Sequence, residues 1–312
     1  MSKNLVVMYN INTLITSLTS KYLFASIKGM RYTFKHFKEL YPNDDACLDK
    51  IFQDRFGDIK FCPKCAAETK FYKVKKRQCY ACQWCGYQLH PLSGTIFRKS
   101  STPLTDWFYA IYQFSTSKNG VSAKKIERDL GVTYKTAWRM CKQIRLLMQQ
   151  DAEQLSGVVE ADETYIGGRY PVKKGKRFDN KIPVIGIAEK GGSTKALVAH
   201  EGATSTAALS FLRSSIETGS TIHTDESRIY SRVKREFTHE FVNHSKHEYA
   251  KAGVHTNTIE GFWGQMKRSI SGTHHAVSPK YLQSYVNEFV FHYNFRDVAV
   301  CPILLELVSK PV

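Results

Sequence analysis

The chain has 312 residues, 42% of them hydrophobic, with a formal net charge of +17 and a sequence pI of about 9.4. This size leaves room for two or three domains with packed cores and excludes a wholly disordered chain. The charge favours a polyanionic partner, nucleic acid ahead of an anionic membrane surface, and no apolar run is long enough for a membrane helix.

Residues 1–29 carry no usable motif and no convincing signal peptide, because Asn4, Asn10 and Asn12 interrupt the mildly apolar stretch from Leu5 to Leu18. Residues 30–56 are predicted helical. Phe34, Phe37, Leu40, Cys47, Leu48, Ile51 and Phe52 recur at three- and four-residue spacings, broken by Tyr41-Pro42-Asn43-Asp44, which offers a helix cap. A short, basic, cysteine-rich stretch follows over 58–99. Helix is predicted again over 103–150: Pro103 opens one segment, Ser122 caps the next, Gly131 turns the chain and Thr133 caps a helix to about Met148. From Gly157 strands are predicted at 158–162, 182–188 and 195–200. A helix at 205–217, a strand at 220–225 and helices at 257–270 and 280–293 complete the pattern. The β-β-β-α-β-α order is that of a mixed α/β layer domain.

Five of the eight cysteines lie in one short stretch. The chain reads as intracellular, so clustered cysteines point to metal and not to disulfides. Cys62-Pro63-Lys64-Cys65 and Cys82-Gln83-Trp84-Cys85 form a C-x2-C, x16, C-x2-C pattern. Two such thiolate knuckles close a tetrahedral Zn²⁺ site with no open position, hence a structural zinc ribbon; a redox dithiol is the bland alternative. Cys79, three residues before Cys82, is a possible exchange partner. Lys73, Lys75, Lys76 and Arg77 on the intervening loop read equally as phosphate contacts or as a solvated charged loop.

The basic charge is concentrated, with 17 Lys and Arg against 6 Asp and Glu between Asp58 and Asp151. Gly120–Met148 reads as helix, turn, helix, with Ile126, Leu130, Val132, Ala137 and Met140 inside. Tyr134, Lys135, Arg139, Lys142 and Arg145 are expected to project from the second helix, as side chains entering a DNA groove do. An ordinary helical hairpin has the same pattern. A second basic run, with Lys173, Lys174, Lys176 and Arg177, is expected to hold DNA as well.

Three acids fit a two-metal phosphoryl-transfer site: Asp162 at the end of the first strand, Asp225 at the end of a later one, and Glu260 on a helix. Mg²⁺ (or Mn²⁺) takes hard oxygen ligands, which suits carboxylates better than histidines. Strand alternation sends the neighbours Glu163 and Glu226 to the opposite faces. Lys267 follows Glu260 by two helical turns and shares its face, placed to hold a phosphate or simply exposed.

In combination, these stretches resemble bacterial insertion-sequence transposases of the DDE type with an N-terminal zinc ribbon, a group related to Merlin transposases. The resemblance covers roughly residues 30 to 300. It rests on the two cysteine knuckles, Gly94-Thr95-Ile96-Phe97, Glu160 to Gly168, Thr224-Asp225-Glu226, His255 to Trp263, Lys267-Arg268 with Gly272-Thr273, and Asn294-Phe295-Arg296. It implies an RNase H-like catalytic domain with Asp162, Asp225 and Glu260 on Mg²⁺ or Mn²⁺, and Lys267 as the basic position after the third acid. The 35 positions from Asp225 to Glu260 resemble the family's spacing. The expected fold is therefore α/β, an RNase H-like domain preceded by a zinc ribbon and a helix-turn-helix-like region. Its divisions are an N-terminal extension and helical segment over 1–57, the ribbon over 58–99, the helical DNA-binding region over 100–152, the catalytic domain over 153–300 and a C-terminal tail over 301–312.

The resemblance further implies binding to terminal inverted repeats and target DNA, cleavage and 3′-hydroxyl strand transfer. A homodimer or higher assembly is expected because two ends must be joined. No membrane association is expected, and the location is the bacterial cytoplasm, with the nucleoid. A non-catalytic DNA-binding regulator and an RNase H-like structure-specific nuclease are the alternatives.

Overall fold

A computed structural model describes residues 32–149, 153–167, 181–242 and 254–310. The chain divides into two compact units, one over Lys28–Leu147 with Asp297–Val312, the other holding Met148–Arg296.

The first unit is built on helices α1 (Phe34–Leu40), α2 (Asp44–Phe56), α3 (Leu104–Thr116), α4 (Ala123–Leu130) and α5 (Tyr134–Leu147). Their starts are set locally. Thr33, Asn43, Ser122 and Thr133 each accept from the backbone N–H three residues on, satisfying a donor the first helical turn leaves open. Gly131 closes α4 at φ 66°, a left-handed conformation that favours glycine. Between α2 and α3 lies a small antiparallel sheet of β1 (Phe71–Lys73), β2 (Tyr80–Cys82) and β3 (Gln88–Leu89). It is anchored on α2: the Phe52 and Tyr80 rings stack 3.8 Å apart, and the Tyr80 hydroxyl donates to Asp49.

The C-terminal segment differs from the expected tail. Val300–Leu307 forms helix α9, buries Val300, Cys301, Ile303, Leu304 and Leu305, and packs on α3. Ser309 donates to Asp54 at 2.9 Å. An apolar run of this kind is helical because it has a face of the first unit to cover.

The second unit is a five-stranded sheet in the order β6-β5-β4-β7-β8. Its strands are β4 (Val158–Gly167), β5 (Lys181–Glu189), β6 (Thr194–Val198), β7 (Thr221–Thr224) and β8 (Thr238–Phe241). The first three pair antiparallel, and β7 and β8 add on in parallel. With helices on both faces this is the RNase H-like arrangement. Helix α6 (Ser205–Ser215) covers one face, where Val159, Ala161, Ile185, Ile187 and Ile222 meet Ala208 and Leu212. Helices α7 (Asn257–Ser269) and α8 (Leu282–Asn294) cover the other. There Ile166, Val184 and Ala188 meet Ile259, Trp263, Met266, Leu282 and Val286. The outer edge of β6 is sealed by amides of α8: Asn294 bonds both the N–H and the carbonyl of Thr194, and Gln283 bonds Val198 N and Ala196 O. That leaves little of the edge open to another strand.

Two sequence expectations change here. Asp162 does not end its strand; β4 runs on to Gly167 because β5 stays paired with it to that point. And β8, four residues long, carried no recognisable alternation.

Candidate active site and metal centres

The parallel partner β7 pairs with β4 only from Val158 to Glu160. Two residues further along β4, Asp162 lies beside the chain leaving β7, where Asp225 turns back on itself through Ser227 N–H to Asp225 Oδ1 at 2.9 Å. Carboxylate oxygens of Asp162, Glu163 and Asp225 all come within 4.8 Å of one another. Glu163 is a correction to the alternation argument. Its backbone parity is that of Val159 and Ala161, yet β7 pairs with β4 only as far as Glu160, so among the described residues no strand flanks Glu163 on the side of Asp225. Its carboxylate accepts from Ser227 Oγ at 3.0 Å, and the buried Tyr230 hydroxyl also faces it. Glu226 stays exposed and outside the group.

The crowding has an electrostatic signature. Burial, then the charges of Asp225 and Glu163 and more weakly Glu260, push the Asp162 carboxyl up to about 7. Burial and Asp225 also raise Glu163. The structure thus brings Asp162 and Asp225 together and places Glu260 within electrostatic reach, outside the tight group. Glu260 is exposed in the first turn of α7, and Thr256 Oγ1 donates to its Oε1 at 2.6 Å. Lys267 is exposed on the same face.

Helix α7 lies close to the sheet at one point. Gly186 is the β5 partner of Asp162, and a Cβ built there would lie 2.4 Å from Trp263 Cζ2. Only a glycine lets the indole sit over the strand, three residues beyond Glu260. An isolated glycine in an otherwise apolar strand is the signal that flags such a position in sequence.

A second cluster lies in the first unit. Cys62, Cys65, Cys82 and Cys85 bring their sulfurs within 4.8 Å of one another, with Cys62–Cys85 at 3.6 Å and Cys65–Cys82 at 3.9 Å. Four thiolates about 2.3 Å from a tetrahedral Zn²⁺ stand about 3.8 Å apart, so the donors and spacing fit zinc. Backbone N–H groups of Lys64 and Trp84 point at Cys62 and Cys82, both at 3.4 Å. Burial raises the Cys82 thiol, but N–H groups of Cys85 and Trp84 with the Thr69 hydroxyl outweigh it and bring it down to about 6. Cys79 is outside the cluster, its thiol directed at Gln88 Oε1.

The candidate DNA-contacting residues of α5 divide. Lys135 and Tyr134 are exposed. Arg139 and Lys142 are half-buried, Arg139 donating to Arg98 O at 2.7 Å and Lys142 lying over Trp138. Arg145 is a correction: it is 3% exposed, donates to Val121 O at 2.9 Å and lies over the Phe114 ring. Helical phase turns it inward with Cys141, where its long stem packs and its head meets a carbonyl. Lys173, Lys174, Lys176 and Arg177 fall outside the described residues. Among the described residues no helix is long and apolar enough to cross a membrane.

Comparison with known proteins agrees with this layout. Residues 154–294 match a family described as an ISXO2-like transposase domain, and residues 42–88 match a transposase zinc-ribbon domain. The second match takes in α2, the helix on which the ribbon sits. A protein of Halobacterium salinarum described as an uncharacterized protein in transposable element ISH50 is 27% identical over 270 residues, covering 80% of this chain and 90% of that one. Two transposase domains in this order, on an RNase H-like sheet with a four-cysteine ribbon before it, mean that the chain belongs to the DDE-type insertion-sequence transposases with an N-terminal zinc ribbon.

Proposed function

We propose that this transposase cuts DNA at the ends of its mobile element and joins the freed 3′-hydroxyl to target DNA, using Asp162, Asp225 and Glu260 as its catalytic carboxylates. The observation that carries this is the convergence of Asp162 and Asp225 just beyond the parallel pairing of β4 with β7, with Asp162 pushed up to about 7. Carboxylates gathered at this density favour a divalent cation, and an all-oxygen donor set suits Mg²⁺ or Mn²⁺. Asp162, Asp225 and Glu260 would hold the metal, which when bound activates the attacking oxygen and takes up charge on the phosphate.

The protein's own part is positional. The sheet holds two carboxylates at fixed spacing, α7 brings the third, and Lys267 on the same face holds a phosphate of the strand being cut. In the first reaction a water oxygen attacks phosphorus and the bond to the 3′ oxygen breaks. In the second, that 3′-hydroxyl attacks a target phosphorus and displaces a target 3′ oxygen, its proton passing to solvent. Cys62, Cys65, Cys82 and Cys85 hold a structural Zn²⁺. Lys135, with Arg139 and Lys142 after side-chain rearrangement, contacts end DNA, and Lys173, Lys174, Lys176 and Arg177 hold DNA near the carboxylates. Joining two ends requires at least two copies of the chain.

The test is cleavage of a labelled duplex carrying the element ends, with Mn²⁺ or Mg²⁺, by wild type, Asp225→Ala, Glu260→Gln and Glu163→Gln. Metal-dependent nicking lost in the first two and retained in the third supports the assignment. End binding without cleavage by the wild type, under conditions where a related transposase cuts, would point instead to a DNA-binding regulator.

A further inference from the structure

Glu160 is the one carboxylate of the sheet that is wholly buried, at 0% exposure among the described residues, and the reading above gives it no role. It lies two residues before Asp162 on β4, so strand alternation puts both on the face covered by α7. Its partners are all at the start of that helix. Oε2 accepts from the backbone N–H of Thr258 at 2.7 Å and of Ile259 at 3.1 Å, and Oε1 accepts from the Thr258 hydroxyl at 2.7 Å. His255 Nδ1 stands 3.1 Å from Oε1, an ion-pair distance whose geometry is too poor for a hydrogen bond.

A helix start normally takes its cap from its own N-cap side chain. Here the N-cap residue, Thr256, makes no such bond, and its hydroxyl is spent on Glu260 Oε1 at 2.6 Å. The cap comes instead from a neighbouring strand, nearly 100 residues earlier in the chain. A negative charge at a helix N-terminus is favourable both for its hydrogen bonds and for the helix dipole, which is how a carboxylate can be buried here at all.

We propose that Glu160 is a positioning residue: by capping α7 from β4, it sets the spacing between Asp162, two residues along the strand, and Glu260, two residues beyond Thr258 on the helix. The inference rests on the reading of Glu260 as the third carboxylate. Trp263 over Gly186 fixes how near the helix comes to the sheet; Glu160 fixes where its first turn stops along the strand.

The experiment measures Mn²⁺ affinity of the full-length, zinc-loaded protein without DNA, by electron paramagnetic resonance titration, beside end cleavage and thermal unfolding. Groups that orient metal ligands are worth about 10- to 100-fold in metal affinity. Glu160→Ala is expected to weaken Mn²⁺ binding by that factor, and Glu160→Gln, which keeps one acceptor oxygen, by less. In a Glu260→Ala background, Glu160→Gln is expected to add nothing, because its effect runs through Glu260. Wild-type Mn²⁺ affinity in a folded Glu160→Ala protein would overturn the proposal. So would an equal loss from Glu160→Gln with and without Glu260. Should Glu160→Ala not fold, Glu160→Gln and Thr258→Ala decide: weaker Mn²⁺ binding at unchanged melting temperature supports positioning, and unchanged binding refutes it. Wild-type affinity in Glu260→Ala alone would instead remove the reading of Glu260 beneath it.

Discussion

Replacing Gly186 by alanine tests how the proposed active site is held together. Gly186 does not adopt a left-handed backbone conformation, so the substitution acts only through space. The added Cβ would lie 2.4 and 2.5 Å from Trp263 Cζ2 and Cη2, and 3.1 Å from Ile259 Cδ1. Ordinary carbon contacts are about 3.5–4.0 Å, so the indole must retreat by about 1 Å. Trp263 and Ile259 are buried in the core between sheet and helix, so the ring cannot simply swing into solvent. Overpacking of this kind costs about 1–3 kcal/mol, or about 2–4 °C of melting temperature per kcal/mol in a domain of this size. Because Ile259 and Trp263 flank Glu260 on α7, the retreat also moves Glu260, the carboxylate proposed as the third of the site. A displacement of about 1 Å at a reacting centre costs on the order of 100-fold in rate. Thermal unfolding and end cleavage should therefore both fall in Gly186→Ala, and Trp263→Phe, which trims the ring, should restore part of each in the double variant. Wild-type stability and cleavage in Gly186→Ala would refute the view that the Trp263 contact sets the helix position.

Three further outcomes follow from the same structure. Asp162 is held at about 7 against an ordinary 3.8, so the folded protein keeps a proton there that the unfolded chain has lost. In the metal-free protein this contribution to stability declines as pH rises from about 4 to about 7 and is level above, whereas apparent Mn²⁺ affinity should rise up to tenfold per unit over the upper part of that range. Titrations between about pH 5.5 and 8 that show a flat affinity, or a slope unchanged in Asp162→Asn, would contradict it. Removing zinc with a chelator, or Cys82→Ser, should unfold the ribbon and abolish one equivalent of bound zinc by elemental analysis; a ribbon whose circular dichroism ignores chelation would sink the four-cysteine assignment. Arg145→Ala should cost about 2–3 kcal/mol in denaturant unfolding while leaving the salt dependence of DNA binding unchanged. Lys135→Ala should do the reverse, lowering the salt slope by about 1 at unchanged stability.

Much of this protein was legible in its sequence. The cysteine knuckles, the caps at Asn43, Ser122 and Thr133, the turn at Gly131 and the order of strands and helices apart from β8 and α9 are written in local residue types and periodicity, because caps, turns and metal knuckles are satisfied within a few residues of chain. Asp162 and Asp225 stood out too, as acids within a recognisable pattern, and the fold brings them together, although Asp162 lies in mid-strand and not at the strand end expected. Tertiary structure decided the rest. Whether Glu163 reaches the carboxylate group depends on where β7 stops, and Arg145 turns inward because a carbonyl and an aromatic ring wait for it there. Residues 300–307 are a helix because α3 offers them a surface. Glu160 caps a helix that begins nearly 100 residues later, and such a contact leaves no mark in the local pattern: burial and long-range hydrogen bonds belong to the folded chain, where strand and helix meet.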